Sequence, residues 1–229
     1  MQKQTFNDST KALVLLSGGQ DSTTCLFWAL EKFDHVDAIA FYYGQKHSRE
    51  LRAASEVAKI AGADLQVLDV SNLLADSSLT KNTSHNKKSH INEELPASFT
   101  AGRNLLFLTV AASRAAEKGI NDLVTGVCQT DYSGYPDCRR HTIDAMQTTL
   151  SLGMGAGDFR IHTPLMYLTK AETWKLGKDL NILDIIIEKT VTDYNGDETM
   201  NAWGMGKENN PASILRAKGY QEALQNGWL

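Results

Sequence analysis

Leu13-Val14-Leu15-Leu16-Ser17-Gly18-Gly19-Gln20-Asp21-Ser22-Thr23-Thr24-Cys25-Leu26 is an apolar run of strand length that stops at a serine and two glycines, after which Cys25, Leu26, Ala29 and Leu30 recur at helical spacing. This order of strand, glycine turn and helix builds a phosphate cradle. The glycines let the backbone approach a polyphosphate, and the N–H groups and positive dipole end of the following helix face the anion. Leu16, Ser17, Gly18, Gly19, Gln20, Asp21, Ser22, Thr23 and Thr24 are therefore the candidate phosphate-binding residues. The serines and threonines offer hydroxyl donors, and Asp21 is placed to hold Mg2+ against the phosphates.

The loop lacks the Gly-Lys-Ser/Thr ending of a Walker sequence, since Gln20-Asp21-Ser22 stands there instead. A glycine pair at an ordinary strand-to-helix turn is the competing reading. The serines and aspartate at this spacing favour the cradle. The string Ser17-Gly18-Gly19-Gln20-Asp21-Ser22 resembles the pyrophosphatase-loop enzymes, which adenylate an oxygen of their substrate with ATP.

The chain has 229 residues, 42% hydrophobic and 22% charged, enough for one soluble α/β domain with a small appendage. A net charge of −4 gives no footprint for nucleic acid. No apolar run reaches the roughly 20 residues needed to span a bilayer, and Met1 to Asp8 carries no apolar signal core, so a cytoplasmic protein is expected. Cys25, Cys128 and Cys138 form no closely spaced pair and read as reduced thiols.

Beyond the loop, Ala38 to Tyr43 reads as a second strand, Ser48 to Ala61 as a helix closed by Gly62, and Leu65 to Val70 as a third strand. Consecutive βαβ units predict a Rossmann-like parallel sheet flanked by helices. Residues 71–101 break the rhythm for about 30 positions, too long for an ordinary connection, and read as a lid or a locally mobile segment; His85 and His90 within it read as surface groups. Leu105 to Glu117 is the next helix and Asp122 to Val127 the fourth strand. A helix over Arg140 to Leu152, a strand near Phe159 to His162, and a helix opening at Lys170 under a Thr169 cap follow. Past Thr192 only Ala212 to Leu224 is periodic. The predicted division is an α/β domain over residues 1–190 and a helical appendage over 191–229.

Ligands in open α/β sheets lie beyond the carboxyl ends of the strands, so Tyr43-Gly44-Gln45, the glycine loop and the stretch Cys128 to Arg139 should converge on one crevice. Together with Tyr43-Gly44-Gln45-Lys46-His47, Gly102-Arg103-Asn104, Thr125-Gly126-Val127-Cys128, Thr130 to Arg139, Thr163-Pro164-Leu165-Met166 and Lys170-Ala171-Glu172-Thr173-Trp174, the loop makes the chain resemble the 7-cyano-7-deazaguanine synthase family across nearly its whole length. The resemblance implies an adenine-nucleotide hydrolase-like fold and a homodimer. It also implies ATP-dependent conversion of 7-carboxy-7-deazaguanine and ammonia to the nitrile, by carboxylate adenylation, amide formation and dehydration.

The roles it suggests start from the charged groups. Asp21, Arg103 and Lys170 are the candidate catalytic residues, with Arg103 suited to a bidentate anion and Lys170 to a phosphate. Asp131, Asp137 and Gln129 are candidates for the guanine-like edge, Tyr135 or Tyr132 for stacking on the ring, and Tyr43 and Gln45 for further contacts. Each competes with a plain turn, packing or surface role. Cys128 reads as a small packed thiol ahead of a nucleophile, since no histidine adjoins it in sequence.

One family feature is absent. Four cysteines that bind a structural zinc in the family fall here on Asp193, Lys207, Asn210 and Ser213. An ammonium cannot ligate zinc and neutral asparagine and serine replace thiolate poorly, so no structural zinc is expected. The substitute expected in its place is an Asp193–Lys207 pair with Asn210 and Ser213 completing hydrogen bonds and Trp203, Leu215 and Tyr220 packing around them. Loss of the metal leaves two alternatives open: a divergent enzyme that stops at the amide or activates another carboxylate, or a non-catalytic nucleotide-binding subunit.

Overall fold

A computed structural model describes residues 10–44, 49–73, 99–130, 135–192, 197 and 199–229. Five parallel strands, β1 (Lys11–Leu15), β2 (His35–Tyr42), β3 (Leu65–Asp69), β4 (Asp122–Val124) and β5 (Arg160–His162), form one sheet in the order β3-β2-β1-β4-β5. The helices are α1 (Gln20–Leu30), α2 (Arg49–Ala61), α3 (Arg103–Glu117), α4 (Arg140–Met154), α5 (Lys170–Asp179), α6 (Leu183–Lys189) and α7 (Pro211–Gln225). The expected Rossmann-like sheet is therefore present.

Side chains alternate along the strands and both faces of the sheet are covered. Leu13, Ile39, Phe41, Leu123 and Ile161 join Leu108, Ala111, Ala112 and Ala115 of α3 and Ile143 and Leu150 of α4 in one core. On the opposite face Ala12, Val14, Ala38 and Ala40 meet Cys25, Leu26 and Ala29 of α1 and Ala54, Val57 and Ala58 of α2. The small residues of that second face let α1 and α2 lie close to the strands.

The chain builds outward from β1 through β2 to β3, then crosses back to place β4 on the other side of β1. Connections to the left and right of β1 consequently diverge at its carboxyl end, which is where an open parallel sheet leaves a crevice. Strand β4 is three residues shorter than its apolar sequence predicts, ending at Val124. Gly126 lies against the backbone of Asp21 and Ser22, so the chain leaves the sheet to pass the first turn of α1.

Past β5, two elements that the sequence pattern does not reveal complete the fold. Helix α6 is only seven residues long, and β6 (Met200–Asn201) pairs with β7 (Gly204–Met205) as a two-residue antiparallel ribbon. Both are too short for periodicity to register. Ala171, Trp174, Ile182, Ile186, Trp203, Ala217 and Ala223 form a third core joining α5, α6 and α7. Arg216 is enclosed in it with no exposure. Its Nε donates to Trp203 O at 2.9 Å, Nη1 to Thr192 Oγ1 at 2.9 Å and Nη2 to Ile186 O at 2.7 Å. Hydrogen bonds from a charged donor contribute about 1.5–3 kcal/mol each, enough to offset much of the cost of enclosing the cation.

The glycine loop depends on close approach of helix to turn. Gly18 has φ +87°, and a Cβ there would lie 2.3 Å from Glu50 O and 2.7 Å from Ala54 N, both backbone atoms of α2. Gly62 has φ +69° with nothing within 4 Å. Gly62→Ala should therefore cost only the left-handed strain of about 1–2 kcal/mol. Gly18→Ala must also displace α2, and its urea midpoint should fall by several times as much; equal shifts for the two variants would contradict the packing.

Candidate functional site

The loop after β1 is tied by its own hydroxyls. Ser17 N–H donates to Ser22 Oγ at 3.1 Å, the two hydroxyls lie 3.0 Å apart, and Ser22 Oγ donates to Gly19 O at 3.2 Å. From the far side Val191 N–H donates to Gly18 O at 3.0 Å. Gly19 heads α1 without a side-chain cap, so the first N–H groups of the helix keep their donor capacity for an anion. Gln20 is 3% exposed, and neither its amide nitrogen nor its oxygen has a partner among the described residues. A preformed turn, uncapped helix N–H groups and an orphaned buried amide together fit a nucleotide polyphosphate.

The expected hydroxyls separate into two sets. Ser17 is exposed at the mouth of the loop and Ser22 closes it. Thr23 and Thr24 have no exposure, and Thr24 Oγ1 donates back to Gln20 O at 2.9 Å. Leu16 is likewise buried, its N–H donating to Ile39 O at 2.8 Å. These three sit on the inner side of the loop and serve its packing.

Lys170 Nζ donates to both oxygens of Asp21, at 2.9 and 2.8 Å. The two candidates, 149 positions apart in sequence, are thus brought into one site. Thr169 caps α5 in a reciprocal capping box: Thr169 Oγ1 accepts from Glu172 N–H at 3.2 Å, and the Glu172 carboxylate accepts from Thr169 N–H at 2.7 Å. This fixes the first residue of α5, which is Lys170. Glu172 therefore belongs to the cap.

Arg103 opens α3 directly after the left-handed Gly102, and its guanidinium lies 5.8 Å from the Tyr43 ring centre. Tyr43 also tilts against Phe107 at 5.7 Å, and Tyr135 lies 5.6 Å from Phe99. Burial raises the Tyr43 hydroxyl well above its ordinary range, and Glu50 and Tyr135 add to that while Arg103 opposes it. Glu50, in the first turn of α2, was not singled out by the sequence. Burial raises its carboxyl pKa, and Arg103 draws it back down. A glutamate at a helix start carries no sequence signal apart from the favourable dipole position.

Three candidates from the strand-end stretch have assigned neighbours. Asp137 is buried, and its Oδ2 accepts from Asn104 N–H at 3.2 Å, supplying the first turn of α3 with the acceptor that Gly102 lacks. Gln129 Oε1 accepts from Arg140 N–H at 3.0 Å and serves the start of α4 in the same way. Cys128 lies 2.9 Å from Thr130 Oγ1 and donates to Leu168 O at 3.3 Å. Gln45, Asp131, Tyr132 and most of the expected lid lie outside the described residues.

The region expected to replace zinc is described in part. Lys207 Nζ lies 2.7 Å from Asp197 Oδ2, while Asp193 lies outside the described residues. Asn210 caps α7: its Oδ1 accepts from Ser213 N–H at 3.0 Å and its Nδ2 donates to Ser213 Oγ at 3.1 Å. With these donors engaged and a lysine at a third position, the residues present do not fit a tetrahedral zinc. Trp203 is buried and Tyr220 stacks edgewise on Trp174 at 5.1 Å, so two of the three expected packing residues join one core, which does not include Leu215. Arg216, which the sequence reading passed over, is at their centre.

Residues 11–224 match the family described as queuosine biosynthesis protein QueC. The chain is 49% identical over 214 residues to a 7-cyano-7-deazaguanine synthase of Clostridium botulinum strain Loch Maree, covering 93% of this chain and 95% of that protein. The corresponding synthase of strain ATCC 19397 is 50% identical over the same length and the same shares of both chains. Among solved structures, a 4-thiouridine synthetase in complex with RNA and ATP aligns with a TM-score of 0.51 at 17% identity, covering 94% of this chain and 51% of that one. The U34-tRNA thiolase of Methanococcus maripaludis aligns at 0.50 and 14%, covering 99% and 70%. At such identities these two structures speak for the shared fold only.

The raised carboxyl of Glu50 has a direct consequence for pH. A folded-state pKa above the unfolded one means that ionised Glu50 costs stability, a cost fully present above the folded pKa and gone once pH falls through the ordinary carboxylate range. Glu50→Gln should therefore raise the thermal midpoint at pH 8 and change it little at pH 4. A midpoint gain that is the same at both pH values would contradict the assignment.

Proposed function

Because this chain belongs to the QueC family of queuosine biosynthesis proteins, we propose that it converts 7-carboxy-7-deazaguanine and ammonia to 7-cyano-7-deazaguanine at the expense of ATP. The observation that carries this reading is the meeting of Lys170 and Asp21 at the glycine loop, on the crevice side of β1. A phosphate-binding turn with one cation and one carboxylate at its lip suits attack of a substrate oxygen on the α-phosphorus, with pyrophosphate leaving.

In this reading the γ- and β-phosphates lie against the N–H groups of Gly19 to Ser22, and Lys170 turns from Asp21 to the phosphoryl oxygens as negative charge develops there. Asp21 is then available to Mg2+, whose part is to neutralise phosphate charge. Arg103 orients the substrate carboxylate from the start of α3, and Tyr43 and Tyr135 with their neighbours Phe107 and Phe99 offer aromatic walls for a flat bicyclic base. Asp131 and Gln45 belong to the same proposal as contacts to the base.

Ammonia displaces AMP from the acyl-adenylate to give the amide. A second ATP adenylates the amide oxygen with loss of pyrophosphate and a proton, and cleavage of the C–O bond, with AMP carrying off the oxygen and the remaining N–H proton lost, then gives the nitrile. The carboxylate of Glu50, beside Arg103 and Tyr43, is suited to take up protons released in these steps, since a raised pKa makes it a stronger base. We further propose that the enzyme acts as a homodimer in the cytoplasm, without a nucleic-acid partner; its net charge of −4 supports the last point. No described helix is long and apolar enough to cross a membrane.

Incubation with ATP, Mg2+, ammonium and 7-carboxy-7-deazaguanine should release pyrophosphate and yield the nitrile by mass spectrometry, undiminished by a chelator that strips zinc and leaves magnesium. Lys170→Ala should lower the rate by about 10²–10³-fold, the usual effect of removing one charge-stabilising donor. Amide as the sole product would replace the nitrile reading. Substrate-independent nucleotide binding without pyrophosphate release would replace enzymatic turnover altogether.

A further inference from the structure

The three acceptors of the Arg216 guanidinium belong to three separate segments: Ile186 to α6, Thr192 to the stretch that follows it, and Trp203 to the turn between β6 and β7. All three are neutral oxygens, and the directions diverge. Only a planar fork with donors on three nitrogens reaches them together; an ammonium presents its protons from one point. There is no slack around the fork, because a Cβ on Gly204 would lie 2.4 Å from Nη2.

Two paths lead from this cation to the glycine loop. Thr192 follows Val191, whose N–H holds Gly18 O at 3.0 Å and whose carbonyl lies beside Gly19. On the other path, Arg216 O accepts from Trp174 Nε1 at 3.2 Å and its guanidinium lies 5.6 Å from the Trp174 ring centre, one turn along α5 from Lys170. One turn further along α7, Gly219 is pressed onto Lys170 itself: a Cβ there would lie 2.6 Å from Lys170 Cγ and 2.7 Å from its Cβ. Both sides of the phosphate site, the loop backbone and the lysine, thus rest on elements that Arg216 joins.

We propose that Arg216 is a positioning residue for adenylation, holding the Thr190–Thr192 stretch against the glycine loop and α7 against Lys170. The proposal rests on the ATP-dependent reading above. Burial lowers the guanidinium pKa to about 10, and the nearby Asp21 charge opposes that shift, so the group stays cationic at neutral pH. The C-terminal segment thereby becomes part of the nucleotide site without touching nucleotide.

The test compares wild type, Arg216→Lys and Arg216→Ala, with Lys218→Ala on the exposed side of α7 as the control. Affinity for a non-hydrolysable ATP analogue is measured by calorimetry, and amide hydrogen exchange is followed at Gly18 to Ser22 and at Val191. Both Arg216 variants should bind the analogue at least 10-fold more weakly and exchange faster at those amides while the sheet amides keep their protection. Free guanidinium ion should restore binding to Arg216→Ala and leave the wild type unchanged. Wild-type affinity and loop exchange in Arg216→Lys, or uniform loss of protection throughout the sheet without rescue by guanidinium, would overturn the proposal. Wild type that binds the analogue yet gives no pyrophosphate with 7-carboxy-7-deazaguanine would refute the catalytic reading alone, because the Arg216 outcome is read on binding and exchange.

Discussion

An ammonium on α5 and a carboxylate in the first turn of α1 meet at 2.8–2.9 Å, and much of the molecule is arranged so that they do. Asp21 is fixed by the glycine loop, which in turn needs α2 close behind Gly18 and Val191 beside Gly19. Lys170 is fixed by its capping box and by α7, which lies so close that only glycine fits at position 219. A charge pair that is partly withdrawn from water is stronger than a surface pair, and also less tolerant of displacement. Positions of the two groups therefore record the packing of nearly every layer.

The sheet supplies the frame for this meeting. Because β4 lies on the other side of β1 from β2, the connections diverge at the carboxyl end of β1, and the loop opens into the space between them. Helices α3 and α4 reach the same space from below, and their starts are held by acceptors from the strand-end stretch: Asp137 for α3 and Gln129 for α4. Two residues whose chemistry suits a base edge thus also serve helix ends, and Asp137 sets where Arg103 stands.

The tail gathers several segments through hydrogen bonds and an ion pair. Thiolates around zinc hold several segments at a point by strong directional bonds. Here Asn210 and Ser213 close the start of α7, Lys207 pairs with Asp197, and the enclosed fork of Arg216 gathers three segments by hydrogen bonds. The pairing of Lys207 with Asp197 was not legible beforehand, because a salt bridge across a loop depends on loop geometry and leaves no periodic trace.

Sequence by itself determined the parallel α/β class, the phosphate loop, the membership that the motif order implies, and the incompatibility of positions 207, 210 and 213 with zinc. Those properties follow from local periods, glycine placement and ligand chemistry, all of which are carried by adjacent residues. Tertiary structure decided which residues share the site: that Lys170 meets Asp21, that Thr23 and Thr24 face inward while Ser17 faces out, that Glu50 joins Arg103 and Tyr43, and that Arg216 is enclosed. These depend on strand order and helix packing between residues far apart in the chain. An arginine in a helix reads as a solvated cation until the segments around it are in place.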